Sequence, residues 1–393
     1  MTDTLMTHSP TANIGPKQQW ATRFAFLCSG IAMATWAPLV PFAQERIGAS
    51  EAELGLLLLC LGLGSIMSMP VSGALAGRFG CRKVIVSGAT VIAIVLPSLA
   101  WLNNGPPLAA ALTLFGASVG ALNVAMNVQA VIVENASRRS MMSGFHGLFS
   151  VGGIIGAGGT SLLLSTGLSP VQATTIIAML IIGLIASSFG GLLPSGGESH
   201  GRGGPFAWPR GVVLVLGALC FIVFLGEGAV LDWSAIFLIS AKAADPAAAG
   251  FGYTVFAIAM TFGRLTGDRG VQALGNGVII ALGAILAASG FLLTVYTNGI
   301  SASMLGFGLI GLGAANMAPV FFTLAGKQKS MPANMAVAAI STIGYSGILM
   351  GPAAIGFIAQ RTDIGTAFIL IACALMVVAA IGPLAARSQR HSV

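Results

Sequence analysis

Long apolar runs are the feature of this sequence that most constrains its fold. Stretches of about 20 or more mostly apolar residues follow one another along the chain, and about 20 such residues cross the hydrocarbon core of a bilayer as a helix. Only 7% of the 393 residues are Asp, Glu, Lys or Arg, against about 25% in an average soluble domain. So few charges cannot cover a soluble surface, which excludes a soluble enzyme, a disordered chain and a nucleic-acid binder.

The apolar runs predict an all-α integral membrane protein with twelve transmembrane helices. A membrane β-barrel would need short segments of alternating polarity, whereas these runs are long and unbroken. The 54 glycines favour helices that pack closely against each other inside the bilayer. The predicted spans cover residues 22–43, 54–76, 84–102, 107–133, 142–165, 170–193, 211–240, 247–266, 276–297, 300–325, 334–359 and 364–386.

The basic residues predict the orientation of the spans. If the N-terminus is cytoplasmic, all but three of the 18 Lys and Arg residues are assigned to the cytoplasmic side, and only Arg46, Lys242 and Arg361 to the outer loops. Cytoplasmic loops of membrane proteins carry such an excess. We therefore expect both termini in the cytoplasm and a multi-pass protein of the plasma membrane, in a bacterium the inner membrane. The polar first 19 residues contain no apolar core, so no cleavable signal peptide is expected.

The chain is predicted to consist of two similar halves. A polar segment rich in Gly, Ser and Pro, residues 194–210, is expected to be a cytoplasmic linker between six-helix bundles at 1–193 and 211–393. Short glycine patterns recur at offsets of roughly half the chain, which indicates duplicated, pseudo-symmetric bundles with a solute site at their interface. The matching patterns are Gly73/Gly77 with Gly263/Gly267, Gly120–Asn123 with Gly313–Asn316, and Gly152/Gly156 with Gly347/Gly351.

The loop after the second span resembles the signature loop of the major facilitator superfamily, G-x-L-A-D-(R/K)-x-G-x-R-(R/K). Gly77 stands where the family has Asp, and the loop after span 8 is a degenerate copy that includes Asp268. The resemblance implies the fold of that superfamily and a gating role for this loop, without the acidic residue that helps latch the cytoplasmic side in the family. The matching residues are Gly73, Leu75, Arg78, Gly80, Arg82 and Lys83.

Three further stretches are similar to the MosC/YbjJ-like subgroup of that superfamily. They are Gly116–Asn127, Met141–Gly147 and Glu227–Trp233. This resemblance implies a transporter of an inositol-like or sugar-like solute.

Two acidic residues well inside one apolar span are candidates for proton coupling. A charged side chain near the bilayer centre costs about 2.5–3.5 kcal/mol on insertion scales, and such groups serve in proton relays. Glu227 lies near mid-depth of the predicted span 211–240, and Asp232 lies closer to the outer surface. The alternative is a structural carboxyl group that ties this helix to a neighbour.

Amide and indole side chains within the spans are candidates for solute contacts. Asn123 and Asn127 are four residues apart and share a helix face. Asn316 is the repeat counterpart of Asn123, so the two are expected to face each other across a central cavity. Trp36 lies midway along span 1, where it could stack on a solute ring or simply pack. Hydrogen bonding between helices is the alternative for the amides.

The last set of candidates concerns gating on the cytoplasmic side. His146, near the cytoplasmic start of span 5, is expected to form part of an inner gate, with a role for it in proton transfer as the alternative. The glycines after span 2 are expected to let that span approach span 11. The complete gating set is Gly73, Gly77, Arg78, Gly80, Arg82, Lys83, Asp268 and His146.

These observations predict a secondary active transporter that works by alternating access and is coupled to protons. The expected partners are a small polar solute, protons and the lipid bilayer, and the expected state is a monomer. No catalytic motif or metal-ligand cluster occurs in the sequence, so neither an enzyme nor a metal or other cofactor is expected. A proton-driven exporter of amphipathic compounds is the alternative within transport, and a non-transporting membrane sensor is the alternative from another class.

Overall fold

The protein is a bundle of long α-helices. The computed structural model describes residues 14–49, 51–196, 208–244 and 251–388, so most of the predicted linker lies outside the described residues. The helices are α1 (Pro16–Thr35), α2 (Val40–Ile47), α3 (Glu51–Phe79), α4 (Cys81–Trp101), α5 (Gly105–Ser137), α6 (Met142–Ser165), α7 (Pro170–Ser188), α8 (Val212–Lys242), α9 (Phe251–Leu274), α10 (Asn276–Tyr296), α11 (Ile300–Ala314), α12 (Met317–Lys327), α13 (Ala333–Arg361) and α14 (Ile364–Ser388).

These helices correspond to the twelve predicted spans, with two interruptions. The first span is broken after α1 by the 3₁₀ turn Ala37–Leu39, which contains Pro38, before α2 continues. The tenth span is α11 and α12, joined by a turn at Ala315 and Asn316. Within the described residues, ten spans are apolar enough to cross a membrane by length and composition alone. The other two are α1 with α2, which starts with a polar turn, and α9, which carries three charged residues.

Helix packing repeats between the two halves. In the first half α1 packs on α6, α3 on α5, and α4 on α7. The second half has the same pairs in the same order, α8 on α13, α9 on α11, and α10 on α14. Two pseudo-symmetric six-helix bundles therefore make up the described fold, as the sequence predicts.

Individual contacts recur at an offset of 195 residues. Gly116 packs against the carbonyl oxygen of Leu61, and Gly311 packs against that of Phe256. A side chain on either glycine would collide with the neighbouring backbone, so both helix pairs depend on the small residue. Gly80 and Gly275, also 195 residues apart, both precede a helix with positive φ, 88° and 80°.

Two basic residues cap equivalent helices at one side of the membrane. Arg46 donates to the carbonyl oxygens of Leu99 (2.7 Å) and Leu102 (2.9 Å) at the end of α4. Lys242 donates likewise to Val295 and Thr297 at the end of α10. These bonds satisfy carbonyl groups that a helix end leaves free. We call this the outer side, and the side where α1 begins and α14 ends the inner side.

Candidate functional site

A buried ion pair joins the first two helices of the second bundle, α8 and α9. An oxygen of Glu227, midway along α8, lies 3.5 Å from the guanidinium group of Arg264 on α9. The two side chains are only 14% and 9% exposed. Charges this deep are stable only when they are paired, because low-dielectric surroundings penalise a lone ion. Glu227, a predicted proton-coupling residue, therefore has a basic partner that the sequence analysis did not identify.

Arg264 also joins the second bundle to the first. Its Nη1 donates to the hydroxyl group of Ser150 on α6 at 3.0 Å, and its Nε donates to the carbonyl oxygen of Ala315 at 3.4 Å. The sequence analysis counted this arginine among the cytoplasmic loop charges although it falls at the end of the predicted span 247–266, and the loop position is wrong because the residue is buried within α9. The isolated Glu227 was the signal that could have revealed it, since intramembrane charges usually pair.

A second link between the bundles runs through Asn123. Its amide nitrogen donates to the hydroxyl group of Tyr345 on α13 at 2.7 Å. Tyr345 packs edge-on against Phe224, with ring centroids 5.4 Å apart, and lies within electrostatic range of the ion pair. Asn127, one turn further along α5, donates to the side chain and backbone of Asn123. The two asparagines thus form one polar unit close to the ion pair.

His146 occupies an aromatic site on α6. Its ring lies between Phe26 of α1 and Phe322 of α12, with centroids 5.1 and 5.6 Å away. Phe322 belongs to the second bundle, so this stack also crosses between bundles. Arg264 interacts electrostatically with the histidine. Trp36 is buried at the end of α1, where the first span breaks.

Two of the predicted residues have surroundings that differ from the expectation. Asn316 does not face Asn123, because its amide donates to the carbonyl oxygen of Gly263 at 3.1 Å within its own bundle. The physical reason is the repeat register: at the observed offset of 195 residues the counterpart of Asn123 is Ala318, and Asn316 falls in the break of the tenth span. Asp232 is exposed on the outer half of α8.

Several predicted site residues carry a buried polar atom that has no hydrogen-bond partner in the described part of the chain. Buried polar atoms are normally paired, so each exception requires an explanation. Each such atom can bind a hydroxyl group of a solute or a water molecule. The atoms are Glu227 Oε1, Asn127 Oδ1, Asn316 Oδ1, His146 Nε2 and Trp36 Nε1.

On the inner side, two carboxylates cap the start of α6. Glu134 accepts hydrogen bonds from the backbone nitrogens of Met141 (2.7 Å) and Met142 (2.8 Å). Asp268 accepts from those of Ser143 (3.0 Å) and Gly144 (2.9 Å). The free N–H groups and the positive dipole end of a helix bind carboxylates in this way.

Both carboxylates connect the bundles at this point. Asp268 belongs to α9 in the second bundle and caps a helix of the first. Glu134, at the inner end of α5, also accepts a hydrogen bond from the hydroxyl group of Thr323 on α12 at 2.6 Å. The sequence analysis included Asp268 in the gating set but gave Glu134 and Thr323 no role.

The two bundles also meet where α3 packs on α13. A side chain on Gly73 would lie 2.5 Å from Ala338 Cβ, so the two helices touch directly there. Asn334 donates from its amide nitrogen to the carbonyl oxygen of Gly73 at 2.7 Å and lies against Gly77. The asparagine therefore occupies the space beside position 77, where the family signature has an acid.

The remaining residues of the signature loop lie at the inner end of α3 and the start of α4, and two of them contact the chain that follows α7. Arg82 donates from its Nε to the carbonyl oxygen of Leu192 at 2.8 Å and lies over the ring of Phe189. Gly80 lies against the backbone of Pro194, with no room for a side chain. Arg78 and Lys83 both lie over the ring of Phe79. The loop is thus packed on residues 192–195.

The fold and the site together define a helical membrane protein with two six-helix bundles and a buried ion pair in the second bundle that is linked to the first through Ser150. The sequence matches the Major Facilitator Superfamily over residues 23–327. It is 51% identical to an uncharacterised MFS-type transporter of Yersinia pestis over 95% of this chain and 97% of that protein. It is also 29% identical to the membrane protein MosC of Rhizobium meliloti, over 91% and 88% of the two chains.

A solved structure shares the fold. The E. coli fucose:proton symporter FucP superposes with a TM-score of 0.77 at 17% identity, covering 94% of this chain and 98% of that one. The chain belongs to the major facilitator superfamily, and it is an integral membrane transporter with relatives similar to MosC.

Proposed function

We propose that the protein is a proton-coupled secondary transporter that moves a small polar, sugar-like or polyol-like solute by alternating access. The observation that carries this proposal is the buried pair of Glu227 and Arg264. Arginine stays protonated under all physiological conditions, so the glutamate is the member of the pair that can bind and release the transported proton. FucP is a fucose:proton symporter, which supports the proposal only as a property of a protein with the same fold.

Protonation of Glu227 would couple proton binding to a change of shape. The pair joins α8 to α9, and Arg264 continues the link to Ser150 of the first bundle. A neutral glutamic acid no longer attracts the guanidinium group, so the arginine becomes free to take other partners. The exposed Asp232, nearer the outer side of the same helix, is proposed as a secondary proton site.

The solute site is proposed to lie beside this pair. Asn123 and Asn127 provide amides that suit hydroxyl groups of a solute, and the unpartnered oxygen of Asn127 is available for one. The hydrogen bond from Asn123 to Tyr345 joins the two bundles, so a solute that replaces this bond would contact both bundles. Trp36 and Asn316, each with an unpartnered polar atom, complete the proposed set.

Gating is proposed to occur at the two contacts on the inner side. The hydrogen bonds of Asp268 with the start of α6 and of Asn334 with Gly73 would hold this side closed. Both sets of bonds must break when the inner side opens. His146, which meets Phe26 of the first bundle edge-on and stacks on Phe322 of the second, belongs to the same closure. We further propose that Arg78, Gly80, Arg82 and Lys83 keep the signature loop rigid, and that the inner side is the cytoplasmic side of a bacterial inner membrane.

The test is solute-driven proton entry into proteoliposomes that contain a pH-sensitive dye. A panel of sugars, polyols and sugar acids is added outside, and the expected result is acidification of the lumen by at least one of them. Glu227→Gln keeps the shape but cannot titrate, so it should abolish acidification while solute exchange without a gradient continues. Asp232→Asn is the matched control on the same helix and should reduce proton entry less.

Acidification by Glu227→Gln at the wild-type rate would contradict the assignment of the proton to this residue. If neither the wild type nor Glu227→Gln exchanges any solute of the panel, the choice of a sugar-like or polyol-like solute is contradicted.

A further inference from the structure

We propose that the transported solute carries one carboxylate group and that Arg264 binds it when Glu227 is protonated. This inference rests on the proposed function and narrows its solute to a hydroxylated monocarboxylic acid. The juxtaposition that carries it is a permanently charged, buried arginine whose ion-pair partner is a group that can be neutralised by a proton.

Among the described residues, Arg264 has a single charged partner. Its guanidinium group contacts one carboxylate, the hydroxyl group of Ser150 and the carbonyl oxygen of Ala315. The last two are neutral and accept hydrogen bonds without compensating a full charge. The carboxylate contact, at 3.5 Å, is longer than the 2.7–2.9 Å of a well-formed charged hydrogen bond. The arginine is thus held without the close two-oxygen contact that its planar group can make.

Uptake of a proton by Glu227 changes the charge balance of the site. When Glu227 takes up a proton, the positive charge of Arg264 is left without its counter-ion in a low-dielectric site, which is strongly unfavourable. A neutral sugar cannot supply the missing charge, and a cationic solute would increase the imbalance. One carboxylate restores neutrality. One proton and one monoanion then cross together, so the loaded carrier has the same net charge as the empty one.

The other described acids near the bundle contacts are engaged elsewhere or exposed, so they do not replace Glu227 as the counter-ion. The carboxylates of Glu134 and Asp268 are engaged at the start of α6 by two backbone nitrogens each. Asp363 caps the start of α14 through Thr366. Asp232 is exposed on the outer half of α8. The solute is therefore the better source of the counter-charge.

The groups around the pair indicate the rest of the solute. Tyr345 and the amides of Asn123 and Asn127 offer donors and acceptors for hydroxyl groups. Phe224 packs on Tyr345 and provides an apolar wall for a ring or chain. A compact sugar acid fits this combination better than a fatty acid, which would leave the amides unpaired.

The test is ligand-induced thermal stabilisation of the purified protein, using acids paired with neutral or basic analogues. The probes are D-gluconate with D-glucitol, D-glucuronate with D-glucose and D-glucosamine, and D-galacturonate with D-galactose. A bound ligand raises the melting temperature by mass action. We expect at least one acid to stabilise the wild type more at low pH than at high pH, and its analogues to be weaker.

The variants separate the roles of the two charges. Glu227→Gln leaves Arg264 permanently unpaired, so it should bind the acid at least as tightly, with little pH dependence. Arg264→Gln should weaken binding of the acid about tenfold or more, since a charge-assisted hydrogen bond is lost. The double variant Glu227→Gln/Arg264→Gln removes both charges without leaving either alone, and it should also lose binding. Arg46→Gln, an arginine of the outer side, is the matched control and should bind like the wild type.

The assignment is wrong if no acid of the panel stabilises the wild type, or if Arg264→Gln and the double variant bind the acid as the wild type does. Stabilisation by a neutral sugar alone, together with proton entry that depends on Glu227, would refute the proposal that the solute carries a carboxylate group. The proposed function would then still hold. Binding of an acid without any proton entry would refute the proposed function and retain the carboxylate site.

Discussion

Replacing Asp268 with asparagine should open the inner side of the protein. In the structure both carboxylate oxygens of this residue accept backbone N–H groups of α6, at 3.0 and 2.9 Å. These bonds connect the two bundles, because Asp268 belongs to α9 and its donors belong to the first bundle. They can exist only while the inner side is closed. Asp268→Asn keeps the size of the side chain but removes its charge.

The loss of stability of the closed state follows from the contacts that Asp268→Asn removes. Asparagine can keep one carbonyl acceptor, so one charge-assisted bond and the favourable interaction with the helix dipole disappear. These terms together are worth about 1–2 kcal/mol in a partly buried site. The closed state should therefore lose about 5- to 30-fold in population relative to the open state.

The assay is a distance measurement between two spin labels on the inner side. Ala136 at the end of α5 and Ala273 at the end of α9 are exposed and lie on opposite bundles, so they are suitable label positions in a background without the five cysteines. Asp268→Asn should enlarge the long-distance fraction. Asp363→Asn is the matched control, because Asp363 caps α14 within one bundle and should leave the distribution unchanged. An unchanged distribution in Asp268→Asn would refute the reasoning.

Two glycine substitutions give further predictions. Gly77→Ala places a methyl group against the amide of Asn334 and should also favour the long distance between the labels. The double variant Gly77→Ala/Asn334→Ala removes this collision but also the hydrogen bond from Asn334 to Gly73, so the long distance should persist. A short distance in the double variant would contradict a role of Asn334 in closure. Gly267→Ala places its methyl group against Asn316 within one bundle, and overpacking should cost about 1–3 kcal/mol of stability. A melting temperature equal to that of the wild type would contradict the packing described.

The sequence predicts the fold well because span length and apolarity are properties of consecutive residues. Twelve runs, the division into halves and the family resemblance all follow from local patterns. The breaks in the first and tenth spans are harder to predict. Pro38 marks the first, but the turn at Ala315 and Asn316 contains no proline or charge.

The site is predicted only in part, because its contacts join residues far apart in the chain. Glu227 stands out as an acid in an apolar run, whereas its partner Arg264 lies near a predicted span end and resembles a loop cation. The register of the repeat depends on packing, which is why Asn316 has a different environment from the one expected. Asn334 gives no local signal, and its role depends on the glycines of α3 opposite it.

The central claim is that Glu227 takes up and releases the coupling proton, and infrared difference spectroscopy of a pH titration tests it most directly. The account predicts a carboxylic acid C=O band that appears on acidification of the wild type, vanishes in Glu227→Gln and persists in Asp232→Asn. A titrating band of the same position and size in Glu227→Gln would contradict the account, because another group would then carry the proton.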